Sequence, residues 1–349
     1  MKNLLLAALL STTGLAYAAS DNAIHSTTLR NDFGMEVSFL DYGGALTRIV
    51  VPDRQGHMGN VVLGLPDAEA YRKSTSCHGS IIGRYAGRIA GAELVIDGRA
   101  IHLVPGPRGP TLHSDPDGFD HRLWQGRDFA DTESVGRVLT LHCADGDQSY
   151  PGTLDVQVTY RLMRAANEFR IEYEARSSEP TAINLTSHAF FNLAGAGSSG
   201  VSGHKVTIPA DRYAKTGALR IPTGDLPSVA DGDLDFRDGR VLGDDPAYDD
   251  SLFLGAGGGL KPAARVDEPG SGRRLEISTT EPAIQIYTAN SFNGSEMGAE
   301  GHPYQRHDGV ALEPQHLPDS PHHPGFPSTI LRPGGRFYSV TIYRFSVMP

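Results

Sequence analysis

Hydrophobic and polar residues alternate regularly in three stretches of the chain. These stretches are residues 155–163 (DVQVTYRLM), 168–176 (EFRIEYEAR) and 336–347 (RFYSVTIYRFSV). Successive side chains of a β-strand point to opposite faces of a sheet, so a period of two is typical of a strand buried on one face. The alternation therefore predicts antiparallel strands that cover a hydrophobic core.

Turn-forming residues separate the alternating stretches. The chain contains 41 glycines and 23 prolines, which recur in clusters such as DYGG, VPGPRGP, LAGAGSSG and RPGG. No long stretch has a convincing amphipathic helical repeat. The pattern predicts an all-β protein, a large antiparallel β-sandwich of many short strands. The composition does not shift enough to mark a boundary, so we expect residues 19–349 to form a single domain.

Residues 1–18 have the pattern of a secretory signal peptide. Lys2 gives a basic start, residues 4–10 are apolar, and residues 16–18 (AYA) place small side chains where a signal peptidase reads. We expect cleavage after Ala18 and an exported protein, periplasmic or secreted. The apolar run is too short to span a bilayer comfortably, so we expect no membrane partner.

The charge of the chain restricts the class of ligand. The 349 residues carry a formal net charge of -10. This charge does not favour nucleic acid, an anionic membrane or an anionic substrate, but it is compatible with a neutral ligand.

Cys77 and Cys143 could pair in an exported protein, although the sequence cannot show whether their Cα atoms come close enough.

Ionisable residues in four stretches are candidates for chemistry. The stretches are residues 81–90 (IIGRYAGRIA), 110–124 (PTLHSDPDGFDHRLW), 184–193 (NLTSHAFFNL) and 310–335, which begins VALEPQHLPDS. Each of these residues could instead have a purely structural role. Arg88 could form an ion pair on a sheet face, and His188, among apolar neighbours in a predicted strand, could be a core histidine. Glu313 follows an apolar run, so it is either solvated or buried with a shifted pKa.

The motifs of metal and cofactor sites are missing from the sequence. His322 and His323 are adjacent, and adjacent strand residues point to opposite faces, so we expect no metal site there. The sequence contains no Cys-x-x-Cys, no His-Glu-x-x-His, no Gly-x-Ser-x-Gly and no phosphate-binding loop, so we expect no cofactor. A carboxylate and histidines remain, and that set suits proton transfer on a small polar molecule such as a sugar.

The four stretches together resemble the aldose 1-epimerases, the galactose mutarotases, over residues 25–347. The motifs that carry the resemblance are GRYAGRI, TLHSDPDGFDHRLW, NLTSHAFFNL, IQIYTAN and ALEPQHLPDSPHHPGFPS. The resemblance implies a galactose mutarotase-like β-supersandwich with a sugar cleft on one sheet. It also implies interconversion of the α and β anomers of a free aldose, such as galactose or glucose, without a cofactor.

The same resemblance implies roles for particular residues. Glu313 is the expected general base and His188 the expected general acid, since a histidine with its usual pKa of about 6.5 can exchange a proton near neutrality. The expected sugar-binding residues are Arg88, His113, Asp249 and Gln285. The chain departs from the family pattern at Gly87, Ser114, Asp115, Ser187, Phe190 and Asp250. We expect these departures to affect sugar preference more than reaction type.

Other functions remain open from the sequence. A glycoside hydrolase would need two carboxylates, and Glu313 has Asp319 or Asp249 as possible partners. A sugar-binding protein without turnover is a second alternative. A sugar-phosphate epimerase is a nearer variant, which an extra arginine in the cleft would favour. The sequence leaves open which aldose is preferred and whether the protein is a monomer or a homodimer.

Overall fold

The computed structural model describes residues 23–245 and 247–349 of the chain. The predicted signal peptide, with its cleavage site after Ala18, lies outside the described residues. Among the described residues, no helix is long and apolar enough to cross a membrane. The one α-helix in this part of the chain is α1 (Ala68–Lys73), and single 3-10 turns occur at Ala90–Ala92, Phe119–His121, Asp147–Ser149, Ala218–Arg220 and Ser320–His322.

Short β-strands make up most of the regular structure. In the first half of the chain they are β1 (Ser26–Arg30), β2 (Glu36–Leu40), β3 (Leu46–Pro52), β4 (Met58–Asn60), β5 (Ile81–Ile82), β6 (Arg88–Ile89), β7 (Glu93–Ile96), β8 (Arg99–His102), β9 (Thr111–Leu112), β10 (Gln125–Ala130), β11 (Ser134–Cys143), β12 (Leu154–Met163) and β13 (Glu168–Ser177). In the second half they are β14 (Thr181–Ala182), β15 (Thr186–Ser187), β16 (Phe190–Phe191), β17 (Lys205–Thr207), β18 (Arg212–Tyr213), β19 (Arg240–Val241), β20 (Asp249–Phe253), β21 (Lys261–Asp267), β22 (Arg273–Thr279), β23 (Ala283–Tyr287), β24 (Asn293–Met297), β25 (Pro303–Gln305), β26 (Val310–Gln315), β27 (Ile330–Leu331) and β28 (Phe337–Val347).

The larger sheets are antiparallel, and each has a distinct strand order. One sheet has nine strands in the order β10-β11-β12-β13-β28-β22-β21-β17-β19. A second has five strands in the order β16-β26-β23-β20-β18, and a third contains β1 to β4 in sequence order. The prediction of an all-β, antiparallel protein is confirmed. The three alternating stretches are β12, β13 and β28, which lie side by side in the nine-stranded sheet.

One hydrophobic core joins the nine-stranded and five-stranded sheets. Val158 and Ile171 extend into it from the nine-stranded sheet, and Ile284 and Leu312 from the five-stranded sheet. All four side chains are fully buried. Burial of an aliphatic side chain of this size contributes roughly 1.5–3 kcal/mol, so the packed sheets form a rigid support for the polar groups on them.

The pairing register of the five-stranded sheet collects polar side chains on its other face. Gln285 of β23 lies opposite Glu313 of β26, and Ser251 of β20 lies opposite Gln285. Their chain neighbours Ile284 and Leu312 point into the core. Because strand side chains alternate, burying the isoleucine and leucine forces the glutamine and glutamate onto the opposite face.

The segment that carries His188 crosses between two sheets. Thr186 and Ser187 pair with β5, whereas Phe190 and Phe191 pair with β26. The expectation that His188 lies within a strand is therefore wrong, because the chain changes pairing partner at this residue. The backbone of His188 is nevertheless fixed on both sides. Its N–H donates to the carbonyl of Ser80 at 2.9 Å, and its carbonyl accepts from the backbone N–H of Gly79 at 3.0 Å.

Asn184 links three segments that approach the same region. Its Nδ2 donates to the carbonyl of Ala86 at 2.9 Å and to that of His316 at 3.2 Å. Its Oδ1 accepts from the backbone N–H of His316 at 2.9 Å. The side chain is fully buried. Asn184 therefore satisfies backbone groups close to Arg88 and Glu313 that have little access to water.

We expect Asn184→Ala to destabilise the protein by about 3 kcal/mol, because it leaves three buried backbone groups without a partner. Urea unfolding followed by circular dichroism measures the change. Asn293→Ala is the matched control, since Asn293 is exposed and its side chain accepts one local bond from Ser295. We expect the control to cost under about 1 kcal/mol. Equal unfolding midpoints for Asn184→Ala and the wild type would contradict the linking role.

Candidate active site

A cleft of about 390 Å³ opens over the polar face of the five-stranded sheet. The six site residues expected from the sequence all line it, namely Arg88, His113, His188, Asp249, Gln285 and Glu313. They come from separate parts of the chain and meet only in the folded structure. A cleft of this size lies within the range of small-molecule sites, which span roughly 300–1,000 Å³.

Glu313 and His188 form the most deeply buried ionisable pair in the cleft. The Nε2 atom of His188 lies 3.6 Å from Oε1 of Glu313. The side chains are 8% and 2% exposed, respectively. The Nδ1 atom of His188 and Oε2 of Glu313 have no hydrogen-bond partner among the described residues. Both groups therefore keep hydrogen-bonding capacity that a sugar hydroxyl or ring oxygen could use.

Burial shifts the pKa values of this pair in opposite directions. Loss of solvent raises the pKa of Glu313 to about 8, and the charge of Asp249 adds to the rise while Arg88 opposes it. Loss of solvent also lowers the pKa of His188 to about 4, which is below the value expected from the sequence. The cause is common to both, since a poorly solvated site disfavours a carboxylate and an imidazolium alike.

His113 is held as a neutral hydrogen-bond donor. Its Nδ1 accepts from the backbone N–H of Gly87 at 3.2 Å, so the ring proton must lie on Nε2. Burial, together with the neighbouring His188 and Arg88, keeps its pKa well below the usual value. The rings of His113 and His188 meet edge to face with centroids 5.6 Å apart. His113 is therefore suited to donating a hydrogen bond to a sugar oxygen rather than to carrying a charge.

Asp249 is the centre of a hydrogen-bonded network beside the pair. Its Oδ1 accepts from Nε2 of Gln285 at 2.7 Å, and its Oδ2 lies 3.8 Å from Nη2 of Arg88 and 3.1 Å from Nε of Arg220. Ser251 donates to the carbonyl oxygen of the Gln285 side chain. The amide of Gln285 is thereby oriented from both sides. Asp249 faces the cleft, whereas Asp250 does not line it.

The departures from the family pattern lie around the pair of Glu313 and His188. Gly87 lines the cleft with a φ of +83°, and a Cβ atom there would lie 3.1 Å from Pro318. Ser114 turns away from the cleft, and its Oγ accepts from the backbone N–H of Tyr85 at 3.0 Å. Phe190 packs against His188 with ring centroids 4.8 Å apart. The departures therefore alter the wall of the cleft and leave the pair itself intact.

Sequence reasoning missed several cleft residues. Arg108, Arg220 and Tyr287 line the cleft, and Thr75 to Cys77 form another part of its wall. Arg220 follows a glycine-containing turn and Arg108 lies in a proline-rich loop, so neither belongs to a periodic pattern. Tyr287 lies in the IQIYTAN motif two positions after Gln285, and this spacing, which places both side chains on one face of a strand, was the available signal for it.

A second buried ion pair supports the wall of the cleft. Nε2 of His78 lies 3.1 Å from Oε2 of Glu296, and Nδ1 of His78 lies 3.3 Å from the carbonyl oxygen of Leu63. Hydrogen bonds from His78 and two serines hold the pKa of Glu296 at about 2 despite its partial burial. Both ring nitrogens of His78 therefore lie within hydrogen-bonding distance of an oxygen atom. After the larger effect of burial, His78 contributes to the low pKa of His188.

The imidazole ring of His78 is enclosed by aromatic rings. The ring centroids of Phe292, Phe190 and Tyr304 lie 5.1, 5.5 and 5.5 Å from that of His78. Aromatic rings packed in this way stabilise one another beyond the area that they bury. Phe190 and Phe292 also line the cleft, so the ion pair fixes cleft side chains from behind.

One group of possible metal ligands lies beside the cleft in the described residues. Asp115, Asp120 and His121 place ligand atoms within 4.8 Å of one another. Burial is the main cause of the raised pKa of both aspartates. The group contains none of the six site residues.

Cys77 and Cys143 are free thiols, and burial among acidic groups raises the pKa of Cys77 well above its usual value.

Known proteins resemble this chain along most of its length. The family model described as aldose 1-epimerase matches residues 25–344. Galactose mutarotase of Rattus norvegicus is 37% identical over 331 residues, which cover 93% of this chain and 95% of the rat protein. Aldose 1-epimerase of Escherichia coli strain K12 is 38% identical and covers 91% of this chain and 94% of its own length.

Solved structures show the same relationship. The aldose epimerase homologue from C. elegans aligns with a TM-score of 0.86 and 28% identity, over 94% of this chain and 100% of the other. Galactose 1-epimerase from Lactobacillus acidophilus aligns with a TM-score of 0.82 and 26% identity, over 95% of this chain and 98% of the other. The extent of these matches, together with the β-sandwich and its polar cleft, shows that the chain belongs to the aldose 1-epimerase family.

Proposed function

We propose that the protein interconverts the α and β anomers of a free aldose, such as galactose or glucose. The observation that carries the proposal is the buried pair of Glu313 and His188, 3.6 Å apart at the base of a sugar-sized cleft. Two such groups can act on the two oxygens attached to C1 of a pyranose. The names of the related proteins support the same reaction.

The reaction requires two proton transfers and the breaking of one bond. In the opening step Glu313 removes the proton from the C1 hydroxyl, and His188 gives a proton to the ring oxygen as the bond from C1 to that oxygen breaks. The open-chain aldehyde then rotates about the bond between C1 and C2. In the closing step His188 takes the proton back and Glu313 returns its proton to the C1 oxygen, on the other face of the ring.

The pKa values define how many protons the pair holds. The pKa of Glu313 is about 8 and that of His188 is about 4, so between these values the pair holds one proton in total. A pair with one proton always contains one acid and one base. The directions of the shifts place this proton on Glu313, which is the state that follows ring opening. A bound sugar that stabilises the carboxylate would return the proton to His188.

We assign the binding of the sugar to four residues of the cleft, namely Arg88, His113, Asp249 and Gln285. His113 donates from Nε2, because its Nδ1 is already occupied by Gly87. Arg88 and the amide of Gln285 offer donors, and Asp249 accepts. Because Asp249 contacts both Gln285 and Arg88, the three groups are preorganised before a sugar arrives.

The hydrolase alternative has less support. Asp319 does not line the cleft, and its Oδ1 accepts from the backbone N–H of Ala90 at 2.9 Å and lies 2.6 Å from Nδ1 of His322. Asp249 is engaged by two arginines and Gln285. A second carboxylate free to act as a nucleophile or as a general base with Glu313 is therefore not available among the described cleft residues.

We expect Glu313→Gln and His188→Asn each to lower kcat by about 10²- to 10⁴-fold, because each removes one proton-transfer group and keeps a similar shape. Polarimetry with fresh α-D-galactose and α-D-glucose measures the rate. The losses should not multiply in the double variant, since the two transfers are coupled. His113→Asn should cost less, because His113 does not change protonation state in the scheme.

Sugar binding measured by calorimetry is the control, and it should survive in the Glu313 and His188 variants. A Glu313→Gln protein with more than about a tenth of wild-type turnover would show that another group is the base. Wild-type protein that binds sugars without accelerating mutarotation would instead favour the binding-protein alternative.

We expect kcat/KM to be constant between about pH 4 and pH 8 and to fall on either side. Below about pH 4 both groups are protonated and no base remains, whereas above about pH 8 both are deprotonated and no acid remains. The measurement is polarimetry across this range, with the spontaneous rate subtracted at each pH. A profile that turns over near pH 6.5 would mean that His188 titrates as an ordinary exposed histidine.

We expect Glu313→Gln to be more stable than the wild type at alkaline pH. A carboxyl group with a raised pKa favours the folded state least after it ionises, so stability is lost as pH rises from about 4.5 to about 8. The loss is on the order of 5 kcal/mol at most. The Tm difference between variant and wild type should therefore grow from pH 5 to pH 8.5. A difference that does not change with pH would contradict the raised pKa.

A further inference from the structure

Two glutamines line the cleft, Gln285 and Gln315, and their amides have different surroundings. The amide of Gln285 is engaged at both ends, because Ser251 donates to its Oε1 and its Nε2 donates to Asp249. In contrast, Oε1 of Gln315 has no hydrogen-bond partner among the described residues. The two amides therefore differ in what they can still bind.

Unpaired buried polar atoms occur on three of the side chains that line the cleft. Within the described part of the chain, these lining residues are His188, Glu313 and Gln315. The first two are assigned to proton transfer. Gln315 is only 2% exposed, so its amide oxygen has almost no access to water. Such an atom costs free energy unless a partner is present, and buried polar atoms nearly always have one. The amide oxygen of Gln315 therefore requires a partner that comes from outside the protein.

The backbone around Gln315 is fixed on both sides. The carbonyl of Pro314 accepts from Oγ1 of Thr186 at 2.9 Å. On the other side, the N–H of His316 donates to Oδ1 of Asn184 at 2.9 Å, and its carbonyl accepts from Nδ2 of Asn184 at 3.2 Å. The strand therefore holds Gln315 at the wall of the cleft without any bond to its amide oxygen.

Gln315 and Glu313 lie on the same face of β26. They are two positions apart, which places them about 7 Å apart along the strand. A pyranose carries hydroxyls on several neighbouring carbons, so a sugar whose C1 hydroxyl contacts Glu313 has other hydroxyls on the side of Gln315. An amide oxygen can only accept a hydrogen bond, and a hydroxyl can donate one. The chemistry of the unpaired atom therefore matches that of a sugar hydroxyl.

We infer that Gln315 binds the aldose, and that its amide oxygen accepts a hydrogen bond from a hydroxyl other than the one at C1. The inference rests on the proposed interconversion of anomers and adds a substrate-binding residue to that site. In the proposed reaction the aldehyde rotates about the bond between C1 and C2, while the rest of the sugar stays in place. A contact with a hydroxyl beyond C1 is therefore the same before and after ring opening, and it holds the part of the sugar that does not rotate.

Gln315→Met tests this contact, because methionine has a similar length and no amide. We expect KM for galactose to rise by about 3- to 10-fold, as for the loss of one uncharged hydrogen bond, with kcat little changed. The midpoint of urea unfolding should stay the same or rise, since the amide oxygen loses no partner within the protein. Polarimetry measures the kinetic constants, and circular dichroism measures unfolding. If Gln315→Met does not fold, Gln315→Leu replaces it in the same assays.

Two further glutamine variants are the controls. Gln285→Met removes an amide that has partners within the protein, so it should lower the unfolding midpoint as well as weaken sugar binding. Gln157→Met controls for the substitution itself, because Gln157 is exposed on β12 and lies outside the cleft. It should leave KM unchanged.

Deoxy sugars identify the hydroxyl that Gln315 contacts. Galactose and its 2-, 3-, 4- and 6-deoxy forms are compared as substrates of the wild type and of Gln315→Met. For the sugar that lacks the contacted hydroxyl, the two proteins should have the same KM, because the contact is already absent. An equal rise in KM for every sugar would show that Gln315 contacts none of these hydroxyls, and it would overturn the inference.

The outcomes separate this inference from the proposed function. Turnover of galactose with an unchanged KM in Gln315→Met would overturn the inference and leave the proposed function in place. A fall in kcat without a rise in KM would also overturn it, since Gln315 would then act on Glu313 rather than on the sugar. If the wild type turns over no sugar, calorimetry with galactose decides instead. Weaker binding in Gln315→Met would support the inference, and equal or absent binding would overturn it.

Discussion

The burial of Glu313 beside His188 is the constraint on which the rest of the structure depends. In water, a glutamate and a histidine both ionise near their usual pKa values. Removing water raises one pKa to about 8 and lowers the other to about 4, so that a single proton is shared over a wide pH range. The same burial destabilises the fold, and the large hydrophobic core between the sheets compensates for it.

Rigid backbone contacts on both sides of His188 keep the pair in place. Asn184 bonds to the backbone on one side, and Asn192 donates to the carbonyls of Ser198, Gly200 and Asp308 on the other. These contacts explain why two asparagines flank the histidine in the sequence. His188 lies where the chain passes from one sheet to another, and there its side chain lines the cleft although it is only 8% exposed. The fixed backbone holds the imidazole ring in one position relative to Glu313.

Periodicity predicted the strands that are buried on one face and missed those that are not. In β12, Val156 and Val158 are buried while Asp155 and Gln157 are exposed, so the alternation is visible in the sequence. All six residues of β26 are buried, because one face covers the core and the other lies under the cleft. That strand has no alternating pattern, although it carries Glu313. Two-residue strands such as β15 are too short for any periodic signal.

The site residues that the sequence revealed belong to family motifs, and those it missed depend on contacts between distant segments. His78 and Glu296 are 218 positions apart, and neither has a neighbour that suggests a pair. The net charge of the chain gives no information about where the charged groups lie. It sums groups over the whole surface, whereas the potential inside a cleft depends on the few charges nearest to it and on the low dielectric around them. Arg88, Arg108 and Arg220 therefore line the same cleft, even in a chain whose overall charge is -10.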